Sequence, residues 1–213
     1  MKKKPSKPTE PYAYINFSKS GKVSKHTCKL SSDKELQEKE VIEIFKNGLT
    51  KKHPELKIYK IIDLPENDHD FKIQTNIGEI ELQLTEIHER EYIRQITKEE
   101  YNSGKYKKYI LKKSGEIPWG VDEEKLDNCI RLAIERKLKK YYEKSKDSIL
   151  WLLIFSTSTY ITPSFCTGGE TRVSKGYIIA NSYLSKVDKN PFDKIWFTDL
   201  LTNPIKIWEK NKG

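Results

Sequence analysis

Asp70-Phe71-Lys72-Ile73-Gln74, followed by Gly78-Glu79-Ile80-Glu81-Leu82-Gln83-Leu84-Thr85-Glu86, is the stretch that decides the fold of this chain. It reads as two short strands joined by a turn, with an acid at the mouth of the first. Glu81 and Gln83 stand two residues apart. Two is the strand period, so both side chains leave one face, roughly 6.5 Å apart. Ile80, Leu82 and Leu84 fill the opposite face. Such a strand has one buried side, and its other side is either wet or a site. A two-residue turn at Asn76-Ile77 places Asp70 opposite Gln83 and diagonal to Glu81. A three-residue loop that includes Gly78 shifts this by one unless a bulge restores it. Taken singly, Asp70 reads as a strand-edge acid, and Glu81 and Gln83 read as a solvent-facing strand surface.

On the N-terminal side, a helix is expected from Ser32-Asp33 to about Leu49, with Glu35 in its first turn and Pro54 closing the region. At about 100° per residue, Val41, Ile42, Phe45 and Leu49 form one stripe. Glu38 falls inside it; Glu40 and Glu43 fall outside. Glu38 is therefore either aimed at the domain interior or a first-turn acid that complements the helix dipole. A strand follows at 57–62. His69 reads as a loop histidine. Residues 1–32 read as a basic, flexible lead-in with one short strand at 12–17.

On the C-terminal side, residues 89–100 suggest a short helix and 106–113 a strand. A long helix is expected from about Asp122 to Lys144, acidic in its first turn and basic in its last, as the dipole favours. Leu126, Ile130, Ile134 and Tyr141 form its apolar stripe, with Lys137 near the centre. A lysine there either meets a carboxylate or snorkels past the sheet edge. Ile149 to Phe155 is a continuous apolar run, as in a strand buried on both faces of a parallel sheet. A helix near 177–184 and strands at 194–198 and 205–208 complete the order. The pattern is mixed α/β. It implies a single domain over 33–213, with a core at about 33–155 and a C-terminal elaboration at 156–213.

The chain has 213 residues, a net charge of +9 and a charged fraction of 33%. A pI near 9.2 points to a polyanionic partner, nucleic acid before anionic membrane. The plainer explanation is a lysine-rich composition. Cys28, Cys129 and Cys166 lack the spacing of structural zinc or of a disulfide framework, which fits a reducing cytoplasm. No apolar stretch follows Met1-Lys2-Lys3-Lys4, and the longest apolar run is far short of the ~20 residues of a spanning helix. A cytoplasmic protein outside the membrane is expected. Thr167-Gly168-Gly169-Glu170 is not followed by the lysine of a phosphate-binding loop. No G-x-S-x-G elbow occurs.

In combination, the helix with Glu38, the hairpin with Asp70, Glu81 and Gln83, and the later helix with Lys137 resemble the PD-(D/E)XK, or restriction-endonuclease-like, nuclease superfamily. The resemblance covers residues from about 33 to 155. It implies a central mixed sheet flanked by helices and hydrolysis of nucleic-acid phosphodiesters. Two positions depart from the family pattern. His69 replaces the proline before the aspartate, and Gln83 replaces the motif lysine. Some members carry glutamine there and cleave; others have lost activity. Lys137 is the candidate displaced lysine. The resemblance implies that Asp70 and Glu81 hold Mg²⁺ (or Mn²⁺), hard cations that take oxygen ligands. Lys137 or Gln83 would position the attacking water, and Glu38 would support the site or bind a second metal. Lys105, Tyr106, Lys107, Lys108, Lys112 and Lys113 mix cations and aromatics in a way that suits phosphates and bases. They equally suit an edge strand guarded by lysines. The expected partner is nucleic acid, DNA ahead of RNA, with a homodimer as an allowed assembly. A catalytically inactive nucleic-acid-binding protein of the same fold and a basic interaction module are the other two readings.

Overall fold

Thr75 pairs with Gly78, so the hairpin turn has two central residues, Asn76 and Ile77. Thr75 Oγ1 donates to the Gly78 carbonyl and accepts from Ile77 N, which closes the turn. The Asn76 side chain ties it to the preceding segment through Lys57 N and the Glu55 carbonyl. Gly78 has φ 117°, a backbone that side-chain-bearing residues rarely adopt. No atom lies within 4 Å of a Cβ built there, so a substitution meets only backbone strain. Gly78→Ala is therefore expected to cost about 1–2 kcal/mol, read as a fall of a few degrees in a thermal melt.

The computed structural model describes residues 12–17, 23–28, 30, 31, 33–64, 69–87, 91, 123–140, 142, 148–156, 182–187, 190–198 and 204–210. Strands β1 (Tyr12–Phe17) and β2 (Val23–Cys28) pair antiparallel as a two-stranded sheet. The strand expected at 12–17 is thus present, and it pairs with a second strand at 23–28 that was not expected. Helix α1 (Lys34–Lys52) is capped by Asp33, whose Oδ1 accepts from Glu35 N and Leu36 N at 3.1 and 3.2 Å. Val41, Ile42, Phe45 and Leu49 are its buried face, the expected stripe.

The main sheet has six strands in sequence order: β3 (Ile58–Asp63), β4 (Phe71–Thr75), β5 (Gly78–Glu86), β6 (Ile149–Phe155), β7 (Lys194–Thr198) and β8 (Ile205–Glu209). The β5–β6 and β6–β7 pairs are parallel; the other three are antiparallel. The sheet is mixed, as expected. Strands β7 and β8 lie beyond residue 155 yet complete this same sheet. Helix α2 (Glu123–Leu138) ends six residues short of the expected boundary.

Alternation along the strands separates two cores. Phe71, Ile73, Ile80, Leu82, Leu84, Trp151, Leu153 and Trp196 pack with the buried stripe of α1. Leu150, Leu152, Ile154, Ile195 and Phe197 pack with Leu126, Ile130 and Ile134 of α2. The central strand β6 is buried on both faces, as its unbroken apolar run demands. Glu81 and Gln83 pair with Leu150 and Leu152 and so belong to the α2 face. The two helices cover opposite faces of the sheet. Among the described residues, no helix is long and apolar enough to cross a membrane.

Candidate active site

The β4–β5 ladder runs from Thr75↔Gly78 to Phe71↔Leu82, as the two-residue turn requires, and Asp70 stands one residue before its end. Asp70 N still donates to the Leu82 carbonyl. Leu84 N, however, donates to Asp70 Oδ2 at 2.5 Å. The carboxylate thus receives an N–H from the end of the strand ladder. That bond holds Asp70 against β5, beside Lys137 in the last turn of α2.

Lys137 reaches this point from the last turn of α2. Its side chain is only 11% exposed; Nζ lies 3.7 Å from Asp70 Oδ2 and donates to Gln83 Oε1 at 3.0 Å. Of the two alternatives for a lysine on that stripe, the structure shows the carboxylate partner. Burial pushes the Lys137 ammonium below its ordinary value, and the Asp70 charge opposes that shift.

Gln83 and Glu81 are each 2% exposed, so this strand face is not wet. Gln83 Nε2 lies 3.3 Å from His69 Nδ1. His69 Nε2 lies 3.0 Å from Glu81 Oε2, without the alignment of a formal hydrogen bond. His69 is itself 3% exposed, and its ring stacks on Tyr142 with centroids 5.9 Å apart. Its backbone lies in the loop before β4, as expected, but its side chain is a buried member of the site. Its position next to Asp70 was the one sequence signal for it.

Glu38 belongs to the opposite helix. Burial raises its carboxyl above the ordinary value and the Asp70 charge adds to that, while Lys34 and Lys137 oppose it. Lys34 Nζ lies 3.6 Å from its Oε1. Glu38 is therefore an interior-facing acid and not merely a dipole partner. A folded-state pKa above the unfolded one means that the ionised carboxylate opposes folding. The penalty is absent below the ordinary glutamate range, grows through the interval up to the raised value, and is full above it. Glu38→Gln is thus expected to raise the melting temperature at pH 7 by about 1–3 °C, with the gain vanishing near pH 3. Thermal melts of both proteins across pH check this.

Glu38 and Lys137 line a common cleft of about 570 Å³ at the carboxyl ends of β5 and β6. Leu84 and Phe155 give it apolar wall. Thr85 and Glu86 come from β5, and Lys34, Arg136 and Lys140 add positive charge. Arg136 is held there by Glu91 and by a 3.0 Å bond to the Glu86 carbonyl. The crevice at the carboxyl ends of adjacent parallel strands is the usual ligand position in open sheets with helices on both faces. Sequence reasoning missed Lys34, Thr85, Arg136 and Lys140. Period counting could have found Thr85, two beyond Gln83, and Lys34, one turn before Glu38.

The predicted residues thus fall into two sets. Glu38, Asp70, Gln83 and Lys137 are linked through contacts and charge at the cleft. Glu81 is linked to them through His69. The predicted patch of Lys105, Tyr106, Lys107, Lys108, Lys112 and Lys113 lies outside the described residues, as do all of the helix expected at 89–100 except residue 91, and residues 177–181. Among the described residues, no three His, Cys, Asp or Glu side chains stand together as a metal cage. Mg²⁺ commonly takes only one or two carboxylates, with water and substrate phosphate completing its shell. Asp70 and Glu38 are two carboxylates close enough to interact by charge, the number such an ion asks for; Glu81 Oε2 faces His69. Compared with known protein families, curated proteins and solved structures, the chain matches none.

Proposed function

We propose that the cleft between the start of α1 and the end of α2 hydrolyses nucleic-acid phosphodiester bonds, with DNA as substrate and a divalent ion as cofactor. The observation that carries this reading is Lys137. A buried ammonium is costly, and this one stands beside Asp70 on the rim of a cleft that it shares with Glu38 and three further cations.

The division of labour follows from charge. Asp70 and Glu38 are the acids that would hold Mg²⁺ or Mn²⁺. A bound ion of this kind supplies an acidified water and neutralises charge on the phosphate. Lys137 presents its ammonium to a phosphate oxygen or to the attacking water, where positive charge favours the pentavalent transition state. Gln83 holds that ammonium in place through its amide oxygen. Lys34, Arg136 and Lys140 meet flanking phosphates, the sequence-independent part of nucleic-acid binding.

The test is incubation with supercoiled plasmid and with single-stranded DNA, in Mg²⁺, in Mn²⁺ and in EDTA. Cutting that requires the ion supports the proposal. One observation favours a second reading, a binding protein of the same fold. Position 83 carries an amide, and Glu81 is taken up by His69. Salt-sensitive DNA binding without cutting in either ion would establish that reading in place of the first.

A further inference from the structure

The Gln83 amide sits between two neighbours whose hydrogen-bonding character fixes its direction. A charged lysine has three donors and no acceptor. The 3.0 Å contact with Lys137 Nζ therefore orients the Gln83 oxygen toward α2. The amide nitrogen then faces His69 Nδ1 at 3.3 Å, and two donors cannot meet there. His69 Nδ1 must accept, which leaves the ring proton on Nε2. Nε2 is the atom 3.0 Å from Glu81 Oε2, where a proton is attracted by a carboxylate. Reversing the amide would set its NH₂ against the lysine ammonium. The assignment of each atom thus follows from the Lys137 ammonium, which cannot accept.

The ring is also held from the side. Tyr142 stacks on it with an interplanar angle of 17°, and Tyr142 packs in turn on Phe192 with centroids 5.5 Å apart. His69, Glu81 and Gln83 are all at most 3% exposed. Three apolar side chains would fill the same space with less desolvation. What the polar trio adds is direction, from Glu81 through His69 and Gln83 to Lys137.

We propose that His69 is a positioning residue: accepting at Nδ1 and set between Glu81 and Tyr142, it fixes the Gln83 amide so that the amide oxygen holds the Lys137 ammonium at the cleft beside Asp70. The consequence for catalysis rests on the nuclease reading; the positioning itself does not. Glu81 then acts at a distance, by selecting the His69 tautomer. Second groups that orient a functional side chain in this way commonly change activity tenfold or more.

Two measurements on the full chain test this. The first is ¹⁵N NMR of the imidazole rings in metal-free protein at pH 8. An unprotonated, accepting Nδ1 with the ring proton on Nε2 is expected; a proton on Nδ1 overturns the proposal. The second is the rate of Lys137 acetylation at limiting reagent, mapped by mass spectrometry, in wild type, His69→Phe and His69→Asn. Phenylalanine removes the acceptor that faces Gln83, whereas the asparagine oxygen can replace it. Acetylation is expected to rise several-fold in His69→Phe and to return toward wild type in His69→Asn. Equal rates in all three folded proteins overturn the proposal.

Cleavage kinetics separate this from the nuclease reading. If wild type cuts DNA, His69→Phe should lower kcat more than tenfold with little change in KM, and His69→Asn should restore part of it. Unchanged kcat in a folded His69→Phe overturns the proposal. If wild type does not cut, the tautomer and acetylation results still decide the positioning, and only the nuclease reading fails.

Discussion

Lys137→Met is expected to lower the single-turnover cleavage rate by about 10²–10⁴-fold, the range for losing one charge-stabilising or proton-managing group. The melting temperature should stay within a few degrees of wild type. The two expectations come from one feature. Burial disfavours the Lys137 ammonium in the folded state, so removing the charge relieves a desolvation penalty. Methionine keeps most of the stem that packs along α2. The loss is the donor to Gln83 Oε1, a deficit of about 1–3 kcal/mol for an unpaired buried acceptor, which the relieved penalty offsets. Asp70 keeps its bond from Leu84 N. Rapid-quench cleavage and a thermal melt on the same preparation check both halves. A variant that melts like wild type and still cuts at full rate would remove Lys137 from the chemistry.

Asp70 should separate into two roles when two substitutions are compared. Asp70→Asn keeps an oxygen that can accept from Leu84 N and removes the charge. Asp70→Ala removes both. The asparagine variant should fold with nearly native stability yet lose at least about 10²-fold in ion-dependent cleavage, because the hard-cation donor is gone. The alanine variant should lose the same activity and also about 1–3 kcal/mol, because Leu84 N is left unpaired at the ladder end. Urea unfolding separates the two, and cleavage across a Mn²⁺ series reads the donor loss. Activity in Asp70→Asn equal to wild type would show that the carboxylate is there for the ladder alone.

Much of this arrangement is legible in the chain, because local rules and burial agree. The α1 stripe is readable since Val41, Ile42, Phe45 and Leu49 obey the helical period and all are buried. The hairpin register is readable since a two-residue turn pairs Thr75 with Gly78 and sets the rest of the ladder. Strand β6 is readable since only a doubly covered strand carries seven apolar residues in a row. The β1–β2 pair is not, because Val23–Cys28 has no apolar alternation to mark a strand. The end of α2 is not, because the basic residues after Leu138 are good helix formers and nothing in their letters stops a helix. The depth of Glu81 and Gln83 is not, because what covers their face comes from α2 and from residues far along the chain. The burial of His69 is hidden for the same reason, although its place beside Asp70 is visible. Its partners lie 12 and 14 residues away and meet it only through the strand register. Lys137 falls between these cases: the helical period places it on a buried stripe, but only the fold brings Asp70 to it.

The central claim is that Asp70 and Lys137 belong to one hydrolytic unit. Groups that act as a unit give strongly non-additive losses, while independent groups multiply. The measurement that tests this most directly is the single-turnover cleavage rate of Asp70→Asn/Lys137→Met beside the two single variants, in Mn²⁺. The expected result is a double variant no slower than the more damaged single. A double variant whose loss equals the product of the two single losses would contradict the account.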